Sequence, residues 1–489
     1  MKKYNPIYLL AFLFGIFTLS IFFTSCKKDK LNTTSGLQFS NDTLTFDTLF
    51  TTLGSTTRFF TIRNKENKAI KISNIHLGGG TDSRYRINVD GDAGTSFTDI
   101  EIPAKDSLYV FVEVTIDPND QTLPYLVLDS VQFQTNGINQ HVILQTFGQN
   151  AHFFYADSIT ANTVWNNDLP YVILNYLQIN QGAQLCINGG TKVYFGPGAA
   201  MVVEGDLKIN GTDTNNTVLF RGVRLDEDIA GRPYDDFPGQ YAGLFFLRNS
   251  TGNINYLEMR NAAYGINVGN IKTTDDPTVN LQTLLDMKWS NAPYVVIKNS
   301  KIYNQAYYGI FGFLGRIEAE NLLVYNCGTN AVGLYCGGEY DFTNCTFYTR
   351  GSAYVSHTKE PLFYINDYFT YSTSSPSILA DSTRAYFNNC ILYGTLEEEI
   401  VTDRETNSTH AFDLLFTNCD LKTQQTLSLP FYNTCKTDDP QFKDVYKNDY
   451  HLKSGSPCID FSNPPSTSTD IDGFSITGAK RDCGAYEYR

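Results

Sequence analysis

The side chains best suited to chemistry gather in one polar stretch, Arg221-Gly-Val-Arg-Leu-Asp-Glu-Asp228 followed by Arg232-Pro-Tyr-Asp-Asp-Phe-Pro-Gly-Gln240. Asp226, Glu227, Asp228, Asp235 and Asp236 stand there beside Arg221, Arg224 and Arg232. Candidates for acid–base work are therefore Asp226, Asp228, Asp235, Asp236 and Arg232. Two carboxylates can hydrolyse a glycosidic bond when about 5 to 9 Å apart, a distance that spacing along a chain does not set. Charged loops are more often solvated than catalytic, so binding has to be weighed beside catalysis. Tyr234, Tyr241, Trp289, Tyr307, Tyr308 and Tyr335 can each offer a flat ring to a sugar, although such rings serve more often as packing. Asp470-Ile-Asp-Gly473 has the start of a calcium loop, but no further ligands follow, which fits a capping turn. No Walker loop, nucleophile elbow or metalloprotease helix is present.

These residues must be positioned by strands, because helical periodicity is absent. Leu177-x-Ile179, Leu185-x-Ile187, Val193-x-Phe195, Met201-x-Val203 and Leu207-x-Ile209 alternate, separated by Gly182, Gly189-Gly190, Gly196-Pro-Gly198, Gly205 and Gly211. Short strands with glycine corners and no helices between them bury their apolar face only by stacking coil on coil, which predicts a parallel β-helix. Further on the same unit returns as Asn299-Ser-Lys-Ile-Tyr303, Asn321-Leu-Leu-Val-Tyr325, Asn344-Cys-Thr-Phe-Tyr348, Asn389-Cys-Ile-Leu-Tyr393 and Asn418-Cys-Asp-Leu-Lys422, with a degenerate copy at Tyr256. Asn at a fixed bend tolerates the left-handed conformation and can bond to the next coil, so the column reads as stitching. Asn261, Asn304 and Asn326 form a second column, and Tyr264-Gly-Ile266 and Tyr308-Gly-Ile310 mark equivalent corners, with Gly333 in the next turn. Cys345, Cys390 and Cys419 share one column and read as small buried packing residues. Insertions interrupt the period at 221 to 241, 269 to 292, 351 to 384 and 394 to 413, and function is expected in those segments.

The phrases Gly182-Ala-x-Leu, Gly190-Thr-x-Val-x-Phe and Gly198-x-x-Met-x-Val-x-Gly205 resemble the opening coils of right-handed β-helix proteins of the pectate-lyase-like superfamily. Asp439-Pro-Gln-Phe, Asp449-Tyr-His-Leu-Lys-Ser-Gly-Ser-Pro-Cys-Ile-Asp460 and Asp482-Cys-Gly-Ala-Tyr-Glu-Tyr488 resemble the C-terminal signature of bacterial, Bacteroidota-type β-helix lipoproteins. The resemblance implies a single-stranded right-handed parallel β-helix over 157–489, of about 10 to 13 coils, closed by a cap from about 436. It also implies, if there is any catalysis, a calcium-assisted polysaccharide lyase, in which carboxylates hold the metal and an Arg removes the proton beside a uronate. Polygalacturonases carry a Gly-His-Gly step, whereas the six histidines here stand alone. Cys483 departs from the apolar residue usual in that signature and can pair with Cys458, while buried free thiols remain the favoured reading.

Before the coils, residues 37–154 show seven alternating strands: 43–49, 58–63, 70–77, 85–89, 108–116, 126–135 and 142–147. Gly78-Gly-Gly80, Asp90-Gly91, Asp117-Pro118 and Asn136-Gly137 break them, so an Ig-like β-sandwich is predicted. The order of its phrases resembles the Ig-like modules of the family that includes ASPM and Hydin, which implies a spacer or interaction module. The whole chain is thus expected to be all-β.

Lys2-Lys3, the apolar run Ile7 to Phe23 and Thr24-Ser25-Cys26 have the parts of an export signal over residues 1–25. Cys26 after Thr24-Ser25 resembles a bacterial lipobox, which implies acylation at Cys26 and a membrane anchor followed by a tether over 26–36. The residue after Cys26 is Lys27, not Asp, so an outer-membrane address is expected, on the periplasmic or the cell-surface side. The net charge of −14 argues against nucleic acid as partner. The expected function is binding or adhesion to a polysaccharide or other extracellular polymer. A lyase or hydrolase in the β-helix groove and a structural envelope protein are the alternatives.

Overall fold

The computed structural model describes residues 31–119, 121–227, 231–269, 292–370, 378–428, 430–462, 468–476 and 479–489. Residues 1–25, Cys26, Asp228 and Trp289 lie outside them. Among the described residues the only helical pieces are short 3-10 turns such as Tyr234–Asp236, and no helix is long and apolar enough to cross a membrane. The chain is all-β and divides into two compact units. One runs to Pro118 and continues over Pro124–Gly148, and the other comprises Asn119–Leu123 and Gln149–Arg489.

The first unit is a sandwich of two five-stranded sheets. Alternation builds it: in Ser107–Val114, Val110, Val112 and Val114 point inward while Tyr109 and Phe111 face solvent. Its core joins Phe60, Ile62, Ile72, Val110, Val131, Phe133 and Leu144. Gln38–Phe39, Asp92–Gly94 and Ser96–Ile102 are strands beyond the seven read from alternation. Ser96–Ile102 pairs with Ile70–Leu77 alone at a sheet edge, so its mostly polar residues carry little periodic signal.

The second unit is a parallel β-helix, a continuous sheet of 25 strands with every strand also paired to one a coil away. Three faces result. On one, His152–Phe154 pairs with Tyr171–Ile173, and the pairing passes coil by coil to Ile391–Gly394 and Asp420–Leu421. That series holds ten strands, within the expected number of coils. The interior is filled by aliphatic side chains and by stacked rings, with Phe342, Phe387, Phe416 and Tyr432 at successive spacings of 4.8, 5.0 and 5.7 Å.

The Asn column is the stitching expected of it. Asn299, Asn321, Asn344, Asn389 and Asn418 all hold φ between 49° and 58°. Asn299 donates from Nδ2 to Asn255 Oδ1, Asn321 to Asn299 and Asn389 to Asn344, at 2.9, 2.9 and 2.7 Å. The cysteines that follow Asn344, Asn389 and Asn418, and Cys435 after Thr434, do more than fill space. Cys345, Cys390, Cys419 and Cys435 each donate from Sγ to the carbonyl two residues back and to a carbonyl of the preceding coil. Ser300 makes the first of these bonds from the same place in its coil. All nine cysteines described are free thiols; Cys458 donates to Asp420 and Cys483 to the Cys390 carbonyl.

The C-terminal segment, expected as an end cap, makes its contacts along the flank. Outward-facing Leu323, Tyr325, Tyr348 and Ile391 would leave an apolar stripe in water, and Phe442, Tyr450, Leu452, Ile471, Ala485 and Tyr486 cover it. The segment is fastened to the Asn bends: Asn321 donates to Thr469 O, Asn389 to Asp482 O, and buried Arg481 to Asn321 Oδ1. Asp470 accepts from the amides of Asp472, Phe474 and Glu487 and from Arg489, so the Asp470-x-Asp-Gly turn is a backbone cap.

Candidate functional site

Among the described residues of the polar excursion at 221–241, Asp226 and Asp235 are each paired with arginine; Asp228 lies outside them. Asp226 is gripped by Arg224 through two bonds, Nε to Oδ1 at 2.9 Å and Nη2 to Oδ2 at 2.7 Å. That bond holds the Arg224 guanidinium above its usual range, and the same guanidinium lies 3.6 Å from the Tyr234 ring centre, occupying a face otherwise open to a sugar. Asp235 sits between Arg221 and Arg260, 3.1 Å from each. Asp236 is exposed, and its carbonyl accepts from Asn304. Exposed Arg232 lies 5.4 Å from the Phe237 ring centre. Tyr241 is only 1% exposed and stacks on Phe195 at 4.4 Å inside the coil, so it packs the core and presents no platform. The excursion is folded down over Arg221 and Arg260 by Gln240 and Asn261, whose amides donate to its carbonyls. Carboxylates already saturated by arginine do not fit calcium. Among the described residues no group of three or more His, Cys, Asp or Glu side chains could hold a metal ion.

The structure instead assembles rings on a different face. Gly243–Phe246, Ile266–Gly269, residues 310–313, residues 332–335, Phe363–Asn366 and Ile400–Asp403 follow one another in register. Phe245, Phe311, Tyr335 and Tyr364 on these strands, with Tyr264 and Tyr308 at the corners, lie outside the interior. Phe245 lies 6.2 Å from Tyr264, Tyr264 6.0 Å from Tyr308, Tyr308 5.0 Å from Phe311, Phe311 5.1 Å from Tyr335, and Tyr335 5.2 Å from Tyr364, measured between ring centres. Tyr307 flanks Tyr264 at 5.1 Å and is 49% exposed, while the other rings are half-buried. The row therefore runs unbroken across five coils.

Its geometry is fixed from beneath. The hydroxyls of Tyr308 and Tyr335 meet at 3.3 Å, and Tyr335 reaches Asn330 Oδ1 at 3.5 Å. Tyr364 and Tyr368 both donate to Asp403 Oδ2, at 2.9 and 2.8 Å. Gly333 stands in register with Phe311, inside a strand and not at the corner expected for it. A Cβ at Gly333 would come within 3.0 Å of the Tyr308 and Tyr335 rings, so the glycine leaves the room they occupy. Burial pushes the Tyr308, Tyr335 and Tyr364 phenols up; the nearby Glu360 carboxylate adds to this at Tyr308 and Tyr335, and Asp403 at Tyr364. The hydroxyls therefore stay protonated and able to donate.

Of the aromatic candidates read from sequence, Tyr307, Tyr308 and Tyr335 come together here, while Tyr234 and Tyr241 do not. Phe245, Tyr264, Phe311 and Tyr364 were missed. The paired Tyr264-Gly-Ile and Tyr308-Gly-Ile corners carried the signal for Tyr264, whereas Phe311 and Tyr364 look like any strand aromatic.

The remaining open face carries a shallow groove of about 370 Å³ lined by Val296, Lys298, Glu318, Ala319, Glu320, Asp341 and Thr343. Its charges are largely paired across coils, Lys298 with Glu320, Arg316 with Glu339 and Arg384 with Asp341. Surface pairs of this kind bring little beyond solubility.

No protein-family model matches the chain, and no curated protein sequence matches it. Part of it is similar to solved structures. A family 123 glycoside hydrolase from Clostridium perfringens is 7% identical with a TM-score of 0.18, over 24% of this chain and 30% of that one. PapD-like domain 7 of human CEP192 is 12% identical with a TM-score of 0.17, over 25% and 89%. The periplasmic chaperone SfaE is 13% identical with a TM-score of 0.16, over 23% and 57%. The chain thus spans under a third of the hydrolase's length.

Proposed function

We propose that this protein is an envelope lipoprotein, acylated at Cys26 after loss of residues 1–25, that binds a polysaccharide or other extracellular polymer along its β-helix. The proposal keeps the lipobox, the pectate-lyase-like resemblance and the outer-membrane address as parts of one reading. The observation that carries it is the row of rings from Phe245 to Tyr364. Five coils each carry an aromatic ring in the row, with the Tyr308, Tyr335 and Tyr364 hydroxyls tied in place, and a repeating platform suits a repeating ligand. The rings are partly buried and lie outside the interior stacks such as Phe342 on Phe387, although Phe311 and Tyr335 also pack against the small cluster of Phe313, Leu314 and Cys336. Binding is preferred here to the lyase alternative because Asp226 and Asp235 are each paired with arginine.

Sedimentation of the full chain with a panel of insoluble plant, algal and bacterial polysaccharides tests the binding. Retention on at least one polymer, reduced at least ten-fold by the double substitution Tyr308→Ala and Tyr335→Ala, is the expected result. Equal retention of the substituted chain would remove the row as the binding surface. Metabolic labelling with radioactive palmitate tests the anchor: label is expected on the natural chain and absent from Cys26→Ala.

A further inference from the structure

Resting on the polymer-binding reading, we infer that the ligand of the aromatic row is an uncharged pyranose chain, extended along the coil axis with about one sugar over each coil. Three observations lead there.

The first is spacing. Coils stack at about 4.8 Å, and a pyranose unit in an extended chain advances by roughly the same distance. From one coil to the next the rings follow at 5.1 to 6.2 Å from centre to centre, and Tyr308 and Phe311, 5.0 Å apart, share a coil. A chain lying across the face would meet at most the two rings of one coil; one lying along it meets rings from five coils.

The second is charge. The ionised side chains acting on the phenols are the carboxylates Glu360 and Asp403. Asp403 stands at the far end of the row, beyond Tyr364, and takes a hydrogen bond from each of Tyr364 and Tyr368. A polyuronate would set its own carboxylates against these, and like charges across a contact exclude a partner. A neutral chain meets no such opposition. Its hydroxyls can donate to the carboxylates, and its axial C–H faces can lie on the rings.

The third is rigidity. The Tyr308 and Tyr335 hydroxyls hold one another, Asn330 holds Tyr335, and Gly333 leaves the space in which both rings settle. A platform already ordered loses less freedom on binding.

Calorimetry on the full chain decides the matter, with neutral β-linked gluco-, xylo-, manno- and galacto-oligosaccharides of two to six units and oligogalacturonates of the same lengths. The expected result is binding of at least one neutral series, with affinity rising through four or five units and then level, and little change between 50 and 500 mM salt. Tyr335→Ala should weaken it at least ten-fold, Tyr335→Phe should retain it within about three-fold, and Tyr386→Ala, on the neighbouring face, should leave it unchanged. Circular dichroism and the unfolding midpoint confirm that each variant is folded. Preference for oligogalacturonates, with affinity falling as salt rises, would overturn this inference and leave polymer binding standing. Equal affinity for disaccharide and hexasaccharide would overturn the axial arrangement. Binding of no oligosaccharide, together with no retention on any polymer, would overturn both.

Discussion

Glu399 and His357 meet with both side chains fully buried, Nε2 to Oε1 at 2.9 Å. Glu399 also accepts from the amides of Leu362 and Leu396, at 2.8 and 2.9 Å, so one carboxylate fastens two insertions to the coil. Removing one partner of a buried pair leaves the other without compensation, at a cost of about 3 to 5 kcal/mol. Glu399→Ala is expected to lower the urea midpoint by that measure, whereas Glu398→Ala at the more exposed neighbour should cost far less. The cysteine column makes a second residue-scale prediction. Because Ser300 occupies the same position with the same carbonyl bond, Cys390→Ser should change stability by under about 1 kcal/mol. Cys390→Val keeps the volume but removes both thiol hydrogen bonds, while the Asn388 carbonyl keeps the Asn344 amide, so a loss of about 0.5 to 1.5 kcal/mol is expected in the same denaturation assay. Gly333→Val would drive a side chain into the Tyr308 and Tyr335 rings, so polymer retention should fall further than the unfolding midpoint does.

At the scale of elements, the C-terminal segment is the part whose hold depends on pH. His451 lies between two carboxylates, 2.6 Å from Asp449 and 3.0 Å from Asp472, and Asp472 also pairs with Lys301 on the coil. The hydrogen bond that His451 donates to Asp472, then the one it donates to Asp449, raises its pKa above 6.5 despite burial. A raised imidazole contributes stability in full below 6.5 and loses it as pH climbs through the folded value. Burial raises Glu487 to about 7, from 4.5, and Asp420 to about 7, from 3.8, so these acids also favour the folded state when protonated and lose that contribution as pH rises. All three push the same way. Asp449 and Asp472, held low, oppose this only when pH falls below 3.8 toward their folded values. Amide exchange in residues 442–452 and 481–487 should therefore be slower at pH 5 than at pH 8.5 after correction for intrinsic rates, and His451→Gln should flatten the difference. A Tyr-rich flank explains why the segment lies there at all: the Tyr303–Tyr325–Tyr348 stripe needs a cover, and the sequence signature showed that such a segment exists without showing which surface it meets.

Across the molecule, the period of the coils was legible because one face of each strand must be apolar and each bend must be small or left-handed, so Asn299, Asn321 and Asn344 announce themselves. The sandwich was legible for the same reason wherever a strand has one wet and one dry face, and it failed at polar Ser96–Ile102. The site was less legible. Charge drew attention to the excursion at 221–241, yet the partners that neutralise Asp235 lie 14 residues before it, at Arg221, and 25 after it, at Arg260, a proximity that only the coil creates. The row from Phe245 to Tyr364 gathers residues spread over 120 positions, and no local pattern marks which strand aromatics point outward. The central claim is that this row is the ligand surface. Protection of tyrosines from iodination, read by mass spectrometry with and without the bound polymer, tests it most directly. Tyr307, Tyr308, Tyr335 and Tyr364 should be protected while Tyr294, Tyr386 and Tyr446 react as before; protection of Tyr294 and Tyr386 with the row left reactive would contradict it.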